Sequence, residues 1–428
     1  MKLLLTLPRP LFPADTGGTI RSLNVFSRLA SRFEISAVSF ADPDIDATAI
    51  NEMRRMFHTY TPVFWQEKRK YSAGFYLELL TSQFSSLPYF LAKSNLSSFR
   101  STIQEIVDRE RFDLILCDFL HTAVHLSGLK IRPQVVIEHN VEYLLRRRQW
   151  QVERHPLKKR IFAREWRKTH DIEARVCQAC DHVIAVSPED KQTIERDFDI
   201  DHVSIIPTGV DTDYFRPMEP AAQPGRIVFV GSMDWYPNED GIVWFLKEVF
   251  PRIFTEIPNC RLTIIGRNPS SRLQRIALAN TSVELTGRVS DVREHLAKAE
   301  VVIVPLRVGG GTRIKIPEAM AMAKPVVSTH VGAEGLPFIN GTEILIEDGP
   351  ESFARAVIRL LKDPNLSVKI GENARERVLK NHSWETVVDE LEKILLRITD
   401  QAKRKRVVSE SPSSHPNQEP EIEALSAD

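Results

Sequence analysis

The chain of 428 residues has only four cysteines, Cys117, Cys177, Cys180 and Cys260. That excludes a disulfide scaffold and fits a reducing compartment. No run approaches the roughly 18 to 20 apolar residues that a membrane-spanning helix needs, so any membrane contact is expected to be peripheral. The apolar start Met1 to Leu7 (MKLLLTL) is broken by Pro8, Arg9 and Pro10 before it reaches signal-peptide length, and reads as a buried first strand. Net charge is also missing: 57 Lys plus Arg balance 57 Asp plus Glu, which argues against a wholesale nucleic-acid coat, and nucleic acid is not an expected partner. No G-x-G-x-x-G follows the first strand. Thr16-Gly17-Gly18-Thr19 stands there, which weakens a dinucleotide oxidoreductase. What remains is an ordinary globular composition, 42% hydrophobic and 27% charged, expected in the cytoplasm.

Short apolar runs alternate with amphipathic segments along the chain. Strands are expected at Lys2 to Leu7, Ile35 to Phe40, Asp113 to Cys117, Gln134 to Glu138, Val183 to Ser187 and Val203 to Pro207. A second set follows at Arg226 to Val230, Arg261 to Ile265, Val283 to Leu285, Val301 to Pro305 and Pro325 to Thr329. Their continuous apolar character suits parallel sheets covered by helices on both faces. Helices are expected between them, including Asn238 to Phe254 and Thr312 to Ala323. The rhythm lapses at Thr208 to Gly225, rich in Pro, Gly and Asp, which marks a domain boundary. The expected organisation is a first doubly wound domain (1–208), a linker (209–225), a second such domain (226–384), a helix (385–400) returning to the first domain, and a disordered tail (401–428). Ligands of such sheets bind at the carboxyl ends of the strands, here a cleft between the domains.

The stretch Val301 to Leu336 carries the chemistry. A buried strand ends at Pro305, glycines follow at Gly309, Gly310 and Gly311, and a helix is expected from near Thr312. Glycines permit close approach of a ligand, and a helix start offers N–H groups to a phosphate. Arg313 and Lys315 add cationic charge at the same place. Glu318, in the first turns, is suited to sugar or ribose hydroxyls.

This stretch resembles the donor-binding region of family 4 glycosyltransferases, the retaining GT-B class. Ser204 to Pro217 (SIIPTGVDTDYFRP) is similar to that family's linker, and Phe229 to Asn238 (FVGSMDWYPN) to the turn after the first strand of its donor domain. Leu285 to Asp291 (LTGRVSD) resembles its nucleobase loop, and Gly17-Gly18 its N-terminal glycine loop. The resemblance implies an α/β GT-B architecture of two Rossmann-like domains facing a central cleft, binding a nucleotide-diphosphate sugar. It also implies transfer with retention to a glycan or lipid-linked acceptor, with no metal or other cofactor. His139, at the end of the strand Gln134 to Glu138, is expected to meet the donor sugar and, with Glu318, to be catalytic. Gly17, Gly18, Arg21, Gly231, Arg288, Val289, Gly310, Gly311, Thr312, Arg313 and Lys315 are the expected substrate-binding residues, and Glu138 is a weaker candidate. The family spaces two glutamates eight positions apart, and counting back from Glu318 reaches Gly310, so the first acid is absent. The Arg and Lys that many members carry after the first donor-domain strand have no equivalents in Gly231 to Asn238.

Asp42-Pro-Asp44-Ile-Asp46 and Asp211-Thr-Asp213 have the spacing of a metal-binding D-x-D but read as capping loops. Cys177 and Cys180 form a C-x-x-C with no second pair, and read as core. Arg146 to Lys168 holds ten basic residues against two acidic ones, interleaved with Trp150, Ile161, Phe162 and Trp166. It fits a surface for anionic lipid headgroups at the inner face of the cytoplasmic membrane, a solvated helix, or a phosphate-binding wall; the resemblance favours the first. Two other functions remain open: a nucleotide-sugar epimerase or hydrolase on the same scaffold, and a degenerate scaffold that binds glycan or a partner enzyme.

Overall fold

A computed structural model describes residues 1–410 except 15, 43, 45, 46, 69–71, 95, 130, 154, 220, 221 and 309–312, and leaves out the side chains of 152 and 405–410. Among the described residues, thirteen strands form two parallel sheets. The first contains β1 (Lys2–Leu7), β2 (Glu34–Ala41), β3 (Thr59–Phe64), β4 (Leu114–Asp118), β5 (Gln134–Ile137), β6 (His182–Ala185) and β7 (Val203–Ile205), in the order β3-β2-β1-β4-β5-β6-β7. The second contains β8 (Arg226–Val230), β9 (Arg261–Ile265), β10 (Val283–Gly287), β11 (Val301–Val304), β12 (Val326–Ser328) and β13 (Leu345–Ile346), in the order β10-β9-β8-β11-β12-β13. Both orders reverse direction once, between β1 and β4 and between β8 and β11. Each reversal splays the connecting loops apart and leaves a crevice at the carboxyl ends of the strands. The fold expectation therefore holds, with two strands added. β3 carries Pro62 within an aromatic and threonine alternation; at the sheet edge the missing N–H breaks no ladder. β13 is only two residues long.

Local chemistry explains where helices differ from expectation. The stretch expected as one helix from Asn238 to Phe254 is helical from Tyr236 to Glu256 but passes through a π-turn at Phe245–Val249. Pro251 cannot donate to the ladder and its ring crowds the preceding carbonyls, so the turn before it widens. The helix expected from near Thr312 begins at Lys315 and ends at Ala321. Pro317 is tolerated only in a first turn, which fixes the start close by. Gly309, Gly310, Gly311 and Thr312 lie outside the described residues.

The last helix corrects a boundary. It runs from Trp384 to Glu410, ten residues beyond the position at which a disordered tail was expected. Asp400 to Arg406 has no glycine or proline, and its Gln, Ala, Lys and Arg are good helix formers, so composition alone misjudged it. The remaining tail, 411–428, lies outside the described residues. Trp384, Val387, Val388, Leu391, Ile394, Leu395 and Ile398 recur every three or four residues and are buried in one core with Leu3, Leu5, Phe26 and Ile35 of the first domain. Each such side chain contributes about 1.5–3 kcal/mol. Where the chain crosses between domains, the Val210 N–H donates to the His382 carbonyl at 2.7 Å, so outgoing and returning segments are tied together.

Candidate active site

The first domain contributes a cluster at its switch point. Asp118 ends β4, and His139 lies two residues beyond β5, the adjacent strand. His139 Nε2 is 2.6 Å from Asp118 Oδ1, and Ser22 Oγ donates to Asp118 Oδ2 at 2.6 Å. The His139 ring lies flat on Phe119, with centroids 3.7 Å apart and planes 6° from parallel. Phe119 holds this position with φ 70°, a left-handed conformation uncommon for an aromatic residue. Gly18 makes room for it: a Cβ there would come 2.9 Å from the Phe119 ring. Burial holds the His139 imidazole below its ordinary pKa, opposed by Asp118. The Asp118 bond fixes the proton on Nε2 in the neutral ring and leaves Nδ1 as the acceptor.

Two first-domain candidates, Arg21 and Glu138, are buried. Arg21 Nη2 donates to the carbonyl of Ile206 at 2.9 Å. Burial pushes it down to about 10, with Asp118 opposing. The structure thus places Arg21, expected to bind substrate, on a backbone carbonyl with Asp118 close by. Glu138 turns to a buried group with Glu173, Glu142 and Asp190; burial, then the Glu173 charge, holds its carboxyl well above the usual range. Glu173 itself accepts the backbone N–H groups of Glu142 and Tyr143 at 2.7 and 2.8 Å, capping the helix that starts there.

The second domain contributes cations. Lys315 Nζ donates to Asn238 Oδ1 at 2.8 Å and lies 4.5 Å from the Phe229 ring centroid. Asn238 is itself held by its Nδ2 bond to the Ser232 carbonyl. Gly231 is required here, because a Cβ would sit 2.6 Å from Lys315 Nζ. Burial, then neighbouring Arg313, pushes Lys315 down to about 7, while burial raises Glu318 to about 7 against the pull of Lys315. Arg313 lies 5.3 Å from the Trp235 ring centroid and is held down at about 10 by burial. Lys315 and Glu318 share a helix face with Arg313 just before it, so the structure brings these three together.

The other predicted residues fall around this group. Gly17 faces the second domain, where a Cβ would lie 3.9 Å from Ile314 Cδ1. Arg288 is exposed and Val289 half-buried in the loop after β10, with open space beside Gly287. They line the rim, strands away from Lys315. Across the cleft Arg148 makes a two-point ion pair with Glu334, at 3.0 and 2.6 Å.

Sequence reasoning missed Asp118, Phe119, Asn238 and Arg267. Arg267 Nε donates to Ser232 Oγ at 3.0 Å, bracing the loop after β8 from the neighbouring strand end. Position at the carboxyl end of a buried strand was the available signal for Asp118 and Arg267. The D-x-D segments form local turns instead: Asp42 accepts from the Asp44 N–H, and Asp211 from the N–H groups of Asp213 and Tyr214. Asp46 lies outside the described residues. Cys177 and Cys180 are buried in the core. The expected basic helix is two helices, Glu142–Val152 and Pro156–Ala179, with Lys168 buried against Ser82 and Arg148 already paired. Arg154 lies outside the described residues.

Two switch-point crevices facing each other, one lined by an aspartate–histidine pair and one by cations, are the arrangement of the two-domain GT-B class of glycosyltransferases. Family models bear this out: "Glycosyltransferase Family 4" matches residues 16–214 and "Glycosyl transferases group 1" matches 224–363. The chain belongs to these group 1, family 4 glycosyltransferases.

It is 22% identical over 389 residues to an uncharacterized 44.6 kDa protein in the cps region of Klebsiella pneumoniae, covering 88% of this chain and 95% of that one. It is 25% identical over 213 residues to a GDP-mannose-dependent monoacylated alpha-(1-6)-phosphatidylinositol monomannoside mannosyltransferase of Corynebacterium glutamicum, covering 44% and 55%. The crystal structure of Anabaena HepE in complex with UDP-glucose shares the fold at TM-score 0.64 and 13% identity, covering 93% and 100%.

Proposed function

We propose that the chain transfers a sugar from a nucleotide diphosphate to a glycan or lipid-linked acceptor, with retention and without a metal, in polysaccharide or glycoconjugate synthesis. The observation that carries this is Lys315. It is desolvated, oriented by Asn238 and the Phe229 ring, and held near neutrality until an anion arrives. A diphosphate supplies that anion, and Arg313 adds a second cation beside it. In the transition state the same groups neutralise the departing diphosphate, where charge develops. Glu318 accepts hydrogen bonds from donor hydroxyls, and His139 Nδ1 does the same from the first domain, with Asp118 orienting the ring. Retention by front-face displacement needs positioning rather than a side-chain nucleophile. The missing acid at Gly310 leaves the donor sugar to these two residues.

A recess beside β1 and β3, lined by Arg9, Phe40, Trp65, Lys93 and His121, is the natural acceptor site. The half-buried Trp65 there suits a sugar ring. The relative acting on a phosphatidylinositol mannoside supports a lipid-linked acceptor, and the basic helices an anionic headgroup surface at the inner face of the cytoplasmic membrane. No helix among the described residues is long and apolar enough to cross a membrane.

Calorimetry with UDP and GDP tests the clamp. Binding by the wild type and none by the Arg313→Ala, Lys315→Ala double variant is expected; equal affinity removes the clamp. Turnover that stops in chelator and returns with Mn²⁺ overturns metal independence.

A further inference from the structure

One surface of the first domain does not fit a water-facing role. The helix Ala73–Ser82 presents Tyr76, Leu77, Leu80 and, two residues past its end, Phe84 to solvent, with exposures of 51%, 60%, 64% and 91%. The spacing of one, three and four residues places them on a single helix face, an apolar stripe pointing away from the protein. Scattered exposed hydrophobics are ordinary; a continuous stripe of four large ones is not.

The end of this helix and the segment after it are anchored. Lys168 Nζ donates to the Ser82 carbonyl at 2.7 Å, Gln83 Nε2 to Glu165 Oε1 at 3.3 Å, and the Tyr89 N–H to Glu165 Oε2 at 2.7 Å. The stripe is therefore fixed to the long helix Pro156–Ala179. Around that anchor the long helix exposes Arg164 and Arg167, and nearer its start Lys158, Lys159 and Arg160 beside Leu157, itself 67% exposed. The carboxylates near the stripe are taken: Glu78 pairs with Lys68 and Glu67 with Lys93. Apolar ridge and uncompensated positive charge thus lie side by side.

We infer that this helix and Phe84 form an insertion ridge, entering the boundary between headgroups and acyl chains of an anionic bilayer leaflet while the exposed cations meet lipid phosphates. It rests on the reading that the basic helices face anionic lipid, and adds what charge alone lacks, an apolar anchor. A leaflet fits better than a folded partner because the stripe is a projecting ridge and its neighbours are cations rather than a mixed polar rim. The ridge is also tied to the segment that lines the proposed acceptor recess. Lys68, which holds the helix through Glu78, lies three residues beyond Trp65 of the recess.

The full chain should co-sediment with phosphatidylcholine vesicles containing phosphatidylglycerol and not with phosphatidylcholine alone. Leu80→Glu with Phe84→Glu should lower that partition by about tenfold or more while UDP binding stays intact. Replacing Lys158, Lys159 and Arg160 by Gln should lower it too, and a Phe84→Trp reporter should shift its emission to the blue on vesicles. If the wild type binds but the ridge variant binds equally and the reporter does not shift, the ridge is overturned and the electrostatic reading stands. If the wild type binds no vesicles, both fall. If the ridge variant instead converts a dimer to a monomer in ultracentrifugation, the ridge is a contact between copies and the proposal is wrong.

Discussion

The two walls of the cleft handle charge in opposite ways. On the first-domain wall His139 is already answered: Asp118 takes its Nε2, Phe119 covers one face, and Arg21 stands behind. On the second-domain wall Lys315 has a neutral amide and a ring as its partners, and the nearest carboxyl, Glu318, is itself pushed toward neutrality. One wall is a finished device that orients; the other is an unfinished one that awaits an anion. Under the proposed function, the donor's diphosphate belongs to the second wall and the uncharged part of the donor, the sugar, to the space between.

The largest effect expected from breaking this contrast is at Lys315. Lys315→Ala should lower kcat/KM by about 10²–10³, because a preorganised cation against developing charge is lost. An effect below threefold in steady-state kinetics would mean the walls are not so different. Asp118→Asn should lower kcat by about tenfold to hundredfold with donor affinity unchanged, as a charge-assisted hydrogen bond is removed from a positioning residue. If affinity rather than kcat falls, the first wall binds rather than orients.

The third effect is pH. Lys315 in the free protein titrates near 7, and a bound diphosphate raises that value, so binding takes up a proton. Affinity for UDP is then full below pH 7 and declines above it, by about fivefold between pH 7 and 8. Glu318 ionises over the same range and acts in the same direction by repulsion. Calorimetry in buffers of different ionisation heat should register the proton, and its absence would mean Lys315 is charged throughout. The smallest effect belongs to the cross-cleft pair: both partners are partly exposed, so Arg148→Ala should change kcat/KM by about fivefold at most. A larger loss would make Arg148 part of the donor site and blur the contrast.

The parts legible in the sequence were those with local causes. Buried parallel strands are continuous apolar runs, so β1, β8 and β11 could be read directly, and Arg313, Lys315 and Glu318 lie within six residues of one another. What escaped depends on register between distant segments. Asp118 matters because β4 lies beside β5, which brings its carboxyl to a ring 21 positions away. Arg267 reaches Ser232 for the same kind of reason. The basic stretch was visible as charge, but the break after Val152, the burial of Lys168 and the pairing of Arg148 follow from packing that composition does not record. Arg21 stands beside a glycine loop in the sequence, while the carbonyl it serves is 185 residues away.

The closing helix has a consequence for biosynthesis. Its apolar face supplies seven side chains to a core otherwise built from residues of the first domain, from Leu3 to Ile206. The first domain to emerge during translation is therefore the last to be completed, since part of its core, beside Phe26 and Leu29, stays uncovered until residues 384 to 398 are made. A chain cut at the linker would keep every strand of that domain and still expose the surface meant for Trp384 and Leu391. The order of synthesis and the order of completion run in opposite directions along this molecule.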